Sequence, residues 1–305
     1  MDIRAAIREQ LLSKNYYLAK IAYHLWWHGQ SLGKQTLVVY QMGRVGSTSI
    51  RDSLEALNLD MSIYQVHALS DQGITQMEQM YWGETPKVFR RALLPETKHV
   101  FAGHFLRTQL NTSTAPGKWK VVTLVRDPIA RNVSEFFYSV DTTKDDPYLP
   151  DFYERYRSDT LNATDLIERF LERFHENSAE CQLPLRWFDT EFNVALGIDV
   201  FSSDFPKSKG YQILREESAD VLLVKLEKLD QCYSQAFDEF LGLGEFPLVT
   251  ANTASQKRYY PAFKSFMDHV HLPASYVSSM YDSRYMTHFY STEEIRGLWN
   301  KWHKQ

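Results

Sequence analysis

The stretch TLVVYQMGRVGSTS, residues 36–49, decides the fold. Its first six residues are mostly β-branched and apolar, which predicts a short buried strand. They run straight into MGRVGSTS, residues 42–49, a loop carrying two glycines. Residues 50–57 continue as a helix. Strand, glycine loop and helix form the opening unit of a nucleotide-binding α/β fold. Gly43 and Gly46 let backbone N–H groups turn toward a ligand with no Cβ in the way. Those amides, the Val45 backbone between them and a helix N-terminus near Ser47 make an anion site. Ser47, Thr48 and Ser49 add hydroxyl donors, and Arg44 adds a fixed positive charge. A strand-to-helix turn that binds nothing fits these residues equally well.

The loop departs from a Walker sequence. That motif needs four residues between its glycines and a Lys before the Ser/Thr. Here only Arg44 and Val45 separate Gly43 from Gly46, and no Lys follows. ATP or GTP hydrolysis is therefore disfavoured.

Working outward, residues 2–28 read as helix, residues 62–67 as a second strand and residues 71–82 as a helix. Residues 98–105 (KHVFAGHF) read as a third strand. Residues 119–125 (WKVVTLV) make the clearest strand, followed by a helix to about residue 140. Residues 148–157 and 164–177 read as helices, and residues 187–200 are ambiguous. Late strands are expected at 211–214 and 221–225, a helix at 229–241, and a capping box at Ser291–Glu294 opening a final helix. Strands alternating with helices predict a mainly parallel sheet covered on both faces. No linker rich in Pro, Gly or Ser interrupts the chain. The expected organisation is an N-terminal helical extension, residues 1–34, and one α/β domain, residues 35–305.

The strand at 119–125 ends in Arg126-Asp127-Pro128. Asp127-Pro128 has the form of an N-cap and first helical residue. Arg126 stands at the strand mouth and Ser134 about two turns into the next helix. Ligands of open α/β sheets sit beyond the carboxyl ends of strands. Both residues can therefore meet one phosphate beside the glycine loop.

With these pieces in order, the chain resembles the sulfotransferases that use 3′-phosphoadenosine 5′-phosphosulfate (PAPS). In that family a strand–loop–helix holds the 5′-phosphosulfate, and a strand-end Arg with a Ser eight residues later holds the 3′-phosphate. Arg126 and Ser134 match that spacing, and QMGRVGSTS is similar to the 5′ loop, with Arg44 where many members carry Lys. Residues 252–260 (NTASQKRYY), with Lys257 and Arg258, look like the family's late basic loop over the nucleotide. YDSRYMTHFYSTEEI, residues 281–295, is similar to bacterial capsular polysaccharide sulfotransferases. The resemblance spans roughly residues 35–300. It implies a P-loop-NTPase-like fold of the sulfotransferase type, with PAPS as co-substrate, 3′-phosphoadenosine 5′-phosphate (PAP) as product and no metal. The acceptor would be a hydroxyl of a carbohydrate. The rival readings are a P-loop kinase or NTPase, and a non-catalytic nucleotide-binding protein of the same fold.

Sulfuryl transfer needs in-line positioning and charge stabilisation, with a base to take the hydroxyl proton. His104 is the first candidate base, at the expected strand end in VFAGHF, where Gly103-His104 is similar to the base-bearing segment of some glycan sulfotransferases. His67, ending IYQVH, is the second. Arg44 is the candidate partner for the leaving phosphate, although its permanent charge makes it a poor proton donor.

The chain has 305 residues, 44% hydrophobic and 24% charged, with net charge −4. That composition suits a globular core and supplies no global basic field for nucleic acid. Cys181 and Cys232 make neither a CxxC pair nor a disulfide framework, which fits a reduced cytoplasmic compartment. The N-terminus lacks the basic-then-apolar pattern of a secretory signal. The apolar stretch at residues 16–27 is far shorter than the ~20 residues of a membrane span. Its clustered aromatics read as packing on the domain, with a weak membrane-surface contact as the alternative.

Overall fold

The structure is a computed structural model describing residues 16–83, 98–112, 118–142, 148–249 and 254–303. Strands are β1 (Gln35–Tyr40), β2 (Met61–Val66), β3 (Trp119–Val125), β4 (Tyr211–Arg215) and β5 (Ala219–Lys225). The N-terminal half carries helices α1 (Tyr16–Ser31), α2 (Ser47–Ala56), α3 (Asp71–Trp82), α4 (Lys98–Thr112) and α5 (Pro128–Thr142). Then come α6 (Phe152–Arg157), α7 (Ala163–Arg173), α8 (Ala179–Trp187) and α9 (Asn193–Leu196). Helices α10 (Leu229–Leu241), α11 (Tyr260–His269), α12 (Ala274–Tyr281), α13 (Arg284–Phe289) and α14 (Thr292–Trp302) complete the described chain.

The strands form one sheet in the order β2-β1-β3-β5-β4. The first four run parallel, and β4 closes one edge antiparallel to β5. The parallel strands are apolar runs because both of their faces are covered. Tyr64 packs on Trp27 and Phe105, whereas the next residue, Gln65, meets Ser47 and Arg51. Successive side chains of a strand point to opposite faces, so α1 and α4 lie on one side and α2 on the other. Val38, Val39, Val121, Val122 and residues 221–224 are fully buried. Each such side chain contributes about 1.5–3 kcal/mol of transfer free energy.

Local signals set several boundaries. Ser70 accepts from the Gly73 amide at the start of α3. Asp127 Oδ1 accepts from Ile129 N, 3.0 Å, with Pro128 opening α5. Asn162 and Ser291 each make both halves of a capping box. The ambiguous residues 187–200 hold a π-turn, Phe188–Phe192, followed by α9.

One expected strand is a helix. Residues 98–105 belong to α4, which runs on to Thr112. Phe101, Phe105 and Gln109 recur every four residues and are buried with Ala102 and Leu106. An eight-residue window hides that period, while the full segment shows it. Gly103 is needed there because a Cβ would stand 2.7 Å from the Ala68 carbonyl oxygen. The helix expected at 148–157 is shorter, Phe152–Arg157, and that at 164–177 ends at Arg173.

Candidate functional site

The strand order creates the site. From β1 the chain crosses to β2 on one side, and from β3 it goes on to β4 and back to β5 on the other. The loops after β1 and β3 therefore part in opposite directions. Such a switch point leaves a crevice outside the carboxyl ends of the two strands. The loop after β1 is residues 41–46; the one after β3 is Arg126-Asp127.

Two residues with positive φ shape the first loop, Arg44 at 72° and Gly46 at 90°. Alternation of backbone handedness turns successive amides to one side, making a concave anion nest. Gly46 is required, since a Cβ there would stand 2.9 Å from Leu226 Cδ1 as well as adopting an unfavourable φ. Gly43 is different: nothing lies within 4 Å of where its Cβ would be. Its backbone faces open space, which leaves room for a ligand to approach. Helix α2 starts at Ser47 directly behind the nest, adding its N-terminal amides.

Three guanidinium groups gather on this loop. Arg126 donates from an Nη to the Arg44 carbonyl, 2.5 Å, and Arg131 Nε donates to the Gly43 carbonyl, 3.2 Å. Arg44 lies flat on the Tyr138 ring, 3.4 Å from its centre. Glu135 accounts for one compensating carboxylate, 3.7 Å from Arg44 Nε and 3.5 Å from an Arg131 Nη. Burial opposes the charge on Arg126 and Arg131 and pushes both pKa values down, and Arg44 adds repulsion to each. So much positive charge beside oriented amides is costly unless an anion offsets it. Residues 131, 134, 135 and 138 share one face of α5, given 3.6 residues per turn. Ser134 thus faces the same crevice, half-buried, on the helix whose first turn follows Arg126.

The side chain of Gln41 is fully buried at the β1 end, and neither its amide nitrogen nor its oxygen has a partner among the described residues, although buried amides are normally satisfied. Ser47 Oγ accepts from Gln65 Nε2 and is turned inward. Thr48 and Ser49 lie half-buried in the first turn of α2.

The two histidines part company. His67 follows β2 and its Nδ1 bonds the Gln41 carbonyl at 2.8 Å. Loss of water pushes its pKa down to about 3, with further repulsion from His99, Arg44 and Arg131. The imidazole is thus neutral, with the Nδ1 proton on the carbonyl and the Nε2 lone pair uncommitted. His104 lies in the middle of α4, not at a strand end. Its Nε2 meets Glu78 at 2.7 Å, Lys20 at 3.2 Å and Tyr16 at 3.3 Å. These partners come from α1 and α3, and none belongs to the nest. The positional argument for His104 as base goes with the strand it rested on.

Sequence reading missed two carboxylates and Arg131. Glu227, just past β5, accepts from Asp127 N at 2.7 Å and from Tyr290 Oη at 3.0 Å. The side chain keeps exposed area, yet protein groups crowd its carboxylate and raise its pKa through lost hydration. It also supplies negative charge to Arg126. Glu191, in the π-turn, is an anchor: Tyr40 Oη, the amides of Leu69 and Ser70, and Ser70 Oγ all donate to it. The spacing of residues 126–135 does place Arg131 on the Ser134 face of α5, which was the available signal. Nothing local marks Glu227 or Glu191.

Of the late basic loop, residues 252–253 lie outside the described residues. Arg258 sits over the Tyr153 ring at 4.3 Å, and Tyr259 packs on Phe137 of α5 at 5.8 Å. The segment therefore lies against the helix that bears Ser134. Lys257 is half-buried beside it. Among the described residues no cluster of three or more His, Cys, Asp or Glu is placed to hold a metal ion, and no helix is long and apolar enough to cross a membrane.

Comparison with known proteins adds one match. The model of a family described as "Putative capsular polysaccharide synthesis protein" aligns with residues 159–291. No curated protein and no solved structure matches the chain. The matched segment contains β4, β5, Glu191, Glu227 and Tyr285, and excludes residues 43–49 and Arg126.

Proposed function

We propose that this protein is a PAPS-dependent sulfotransferase of the P-loop-like type that modifies a carbohydrate hydroxyl. The observation that carries the reading is the contact between Arg126 and the Arg44 carbonyl, which joins the β3 end to the amide nest at a switch point. A donor with phosphates at both the 5′ and 3′ positions needs two anion sites fixed relative to one another. The nest with Arg44 suits the 5′-phosphosulfate, and Arg126 with Ser134 suits the 3′-phosphate. Lys257 and Arg258 would close over the nucleotide. The polysaccharide synthesis family that matches residues 159–291 supports a glycan as acceptor.

In the reaction, the acceptor oxygen bonds to sulfur as the bond from sulfur to the 5′-phosphate oxygen breaks. The electron pair leaves with PAP. Arg44 and the amides of residues 43–47 stabilise that leaving oxygen, in a site that needs no reorganisation. The hydroxyl proton goes to His67 Nε2 and then to water. His67 is already neutral and oriented by Gln41, although loss of water, with repulsion from His99 and the arginines added, makes it a weak base. The bound phosphates offset that field and raise its basicity. General-base assistance is worth about 10²–10⁴ in rate.

The test is transfer from radiolabelled PAPS to a panel of polysaccharides, with PAP release measured in parallel. Acceptor-dependent PAP formation is expected. Magnesium-dependent ATP turnover with no PAP formation would instead assign the site to a nucleoside triphosphatase.

A further inference from the structure

A second concave site lies on the same edge of the sheet. A cavity of about 510 Å³ is lined by Asp204, Phe205, Lys207, Arg284, Thr287 and His288. None of residues 43–49, 126 or 134 lines it, so it is separate from the anion nest. Its position follows from the topology. Residues 204–210 precede β4, and the amide of Lys225, the last residue of β5, donates to the Gly210 carbonyl at 2.8 Å. The cavity is thus at the carboxyl end of β5, the strand next to β3 in the sheet.

Helix α13 connects the two places. Its Tyr285 hydroxyl bonds both the amide and the carbonyl of Arg126, each at 3.0 Å. Arg284, Thr287 and His288 of the same helix line the cavity. The same short helix thus lines the cavity on one side and holds the Arg126 backbone on the other.

The lining chemistry names the ligand. Among the six lining residues, Lys207 and Arg284 are cationic and Asp204 is the acidic one. The Lys207 ammonium is positioned by the Thr287 carbonyl, 2.6 Å, which leaves its other protons available. Arg284 stacks on Phe201 at 4.2 Å. Its pairs with Asp189 and Asp199 are long, 3.9 and 3.7 Å, between exposed side chains. Such pairs hold the group weakly. His288 Nε2 is buried with no hydrogen-bond partner among the described residues. Phe205 gives an aromatic wall and Asp204 accepts from a ring hydroxyl, while the Thr287 hydroxyl, which donates to the Ser283 and Arg284 carbonyls at 3.1 and 3.2 Å, can accept from another. The volume is that of an ordinary small-ligand site. All six lining residues fall within the segment matched by the polysaccharide synthesis family.

We propose that this cavity is a saccharide subsite that takes an acidic sugar unit of the acceptor, its carboxylate on Lys207 and Arg284. The proposal rests on the sulfotransferase reading only for the word acceptor. The test uses the full chain without donor, with trigalacturonate and maltotriose as probes, followed by saturation-transfer NMR and calorimetry. Trigalacturonate is expected to bind at least about tenfold more tightly than maltotriose, and Arg284→Ala to weaken it about tenfold. Lys207→Ala, on the other side of the cavity, should act in the same direction. PAP affinity, measured on each variant, separates the two readings: loss of PAP binding by the native chain defeats the sulfotransferase reading and leaves the subsite standing. No transfer from either probe, equal binding of both, or trigalacturonate binding unchanged in both variants would overturn the subsite.

Discussion

Arg44 combines a strained backbone, a stacked side chain and an ion pair in one residue. Its φ of 72° is unfavourable for a side chain, and Tyr138 and Glu135 together hold its guanidinium in place. Glu135 bridges Arg44 and Arg131 where a phosphate oxygen would be attractive to both. Removing its charge while keeping its shape should therefore tighten anion binding. Glu135→Gln is expected to lower the Kd for PAP about three- to tenfold in calorimetry; weaker binding would mean that Glu135 orients the arginines instead of competing for them. His67 gives a pH prediction. An unfolded imidazole titrates near 6.5 and the folded one near 3. Between these values the unfolded chain binds the extra proton, so the contribution of His67 is whole above 6.5 and is lost as pH falls toward 3. His67→Asn should flatten the decline in urea stability between pH 7 and pH 4. PAP should move the His67 titration upward in NMR spectra, because its phosphates counter the arginine field.

At the scale of elements, the loop after β1 uses its two glycines for different purposes. Gly46→Ala forces a Cβ onto Leu226 at a left-handed φ and should cost about 1–3 kcal/mol in denaturant unfolding. Gly43→Ala meets open space and should leave stability nearly unchanged while weakening PAP binding. Equal stability losses in the two variants would remove the ligand-facing role of Gly43. The elements also show what the sequence made legible. β1, β3, α2, α3 and α10 fall within a residue or two of expectation, because apolar runs and caps are local signals. α4 reads as a strand over residues 98–105 because eight residues span barely two helical turns. The pairing of the nest with Arg126 could be expected from a strand-end rule. Both histidines are visible in the sequence, but only the fold shows that His67 borders the loop after β1 while His104 pairs with Glu78 on α3.

At the scale of the molecule, the C-terminal helices brace the crevice between the ends of β1 and β3. Asp127 takes hydrogen bonds from Tyr281 Oη at 2.9 Å and Trp302 Nε1 at 2.8 Å, while Tyr285 clasps Arg126 and Tyr290 clasps Glu227. These partners are 63 to 175 residues apart in sequence, which is why no local pattern announced them. Tyr285→Phe should lower stability by about 1 kcal/mol and weaken PAP binding, although the Tyr285 hydroxyl meets only the Arg126 backbone. The account as a whole depends on the nest and the Arg126–Ser134 pair holding opposite ends of one bisphosphate nucleotide. Calorimetry of PAP against ADP tests it most directly, on the native chain, Arg126→Ala and the milder Ser134→Ala. A preference for PAP of at least about tenfold that shrinks in Ser134→Ala and disappears in Arg126→Ala is predicted; equal binding of PAP and ADP, or a preference that survives both substitutions, would contradict it.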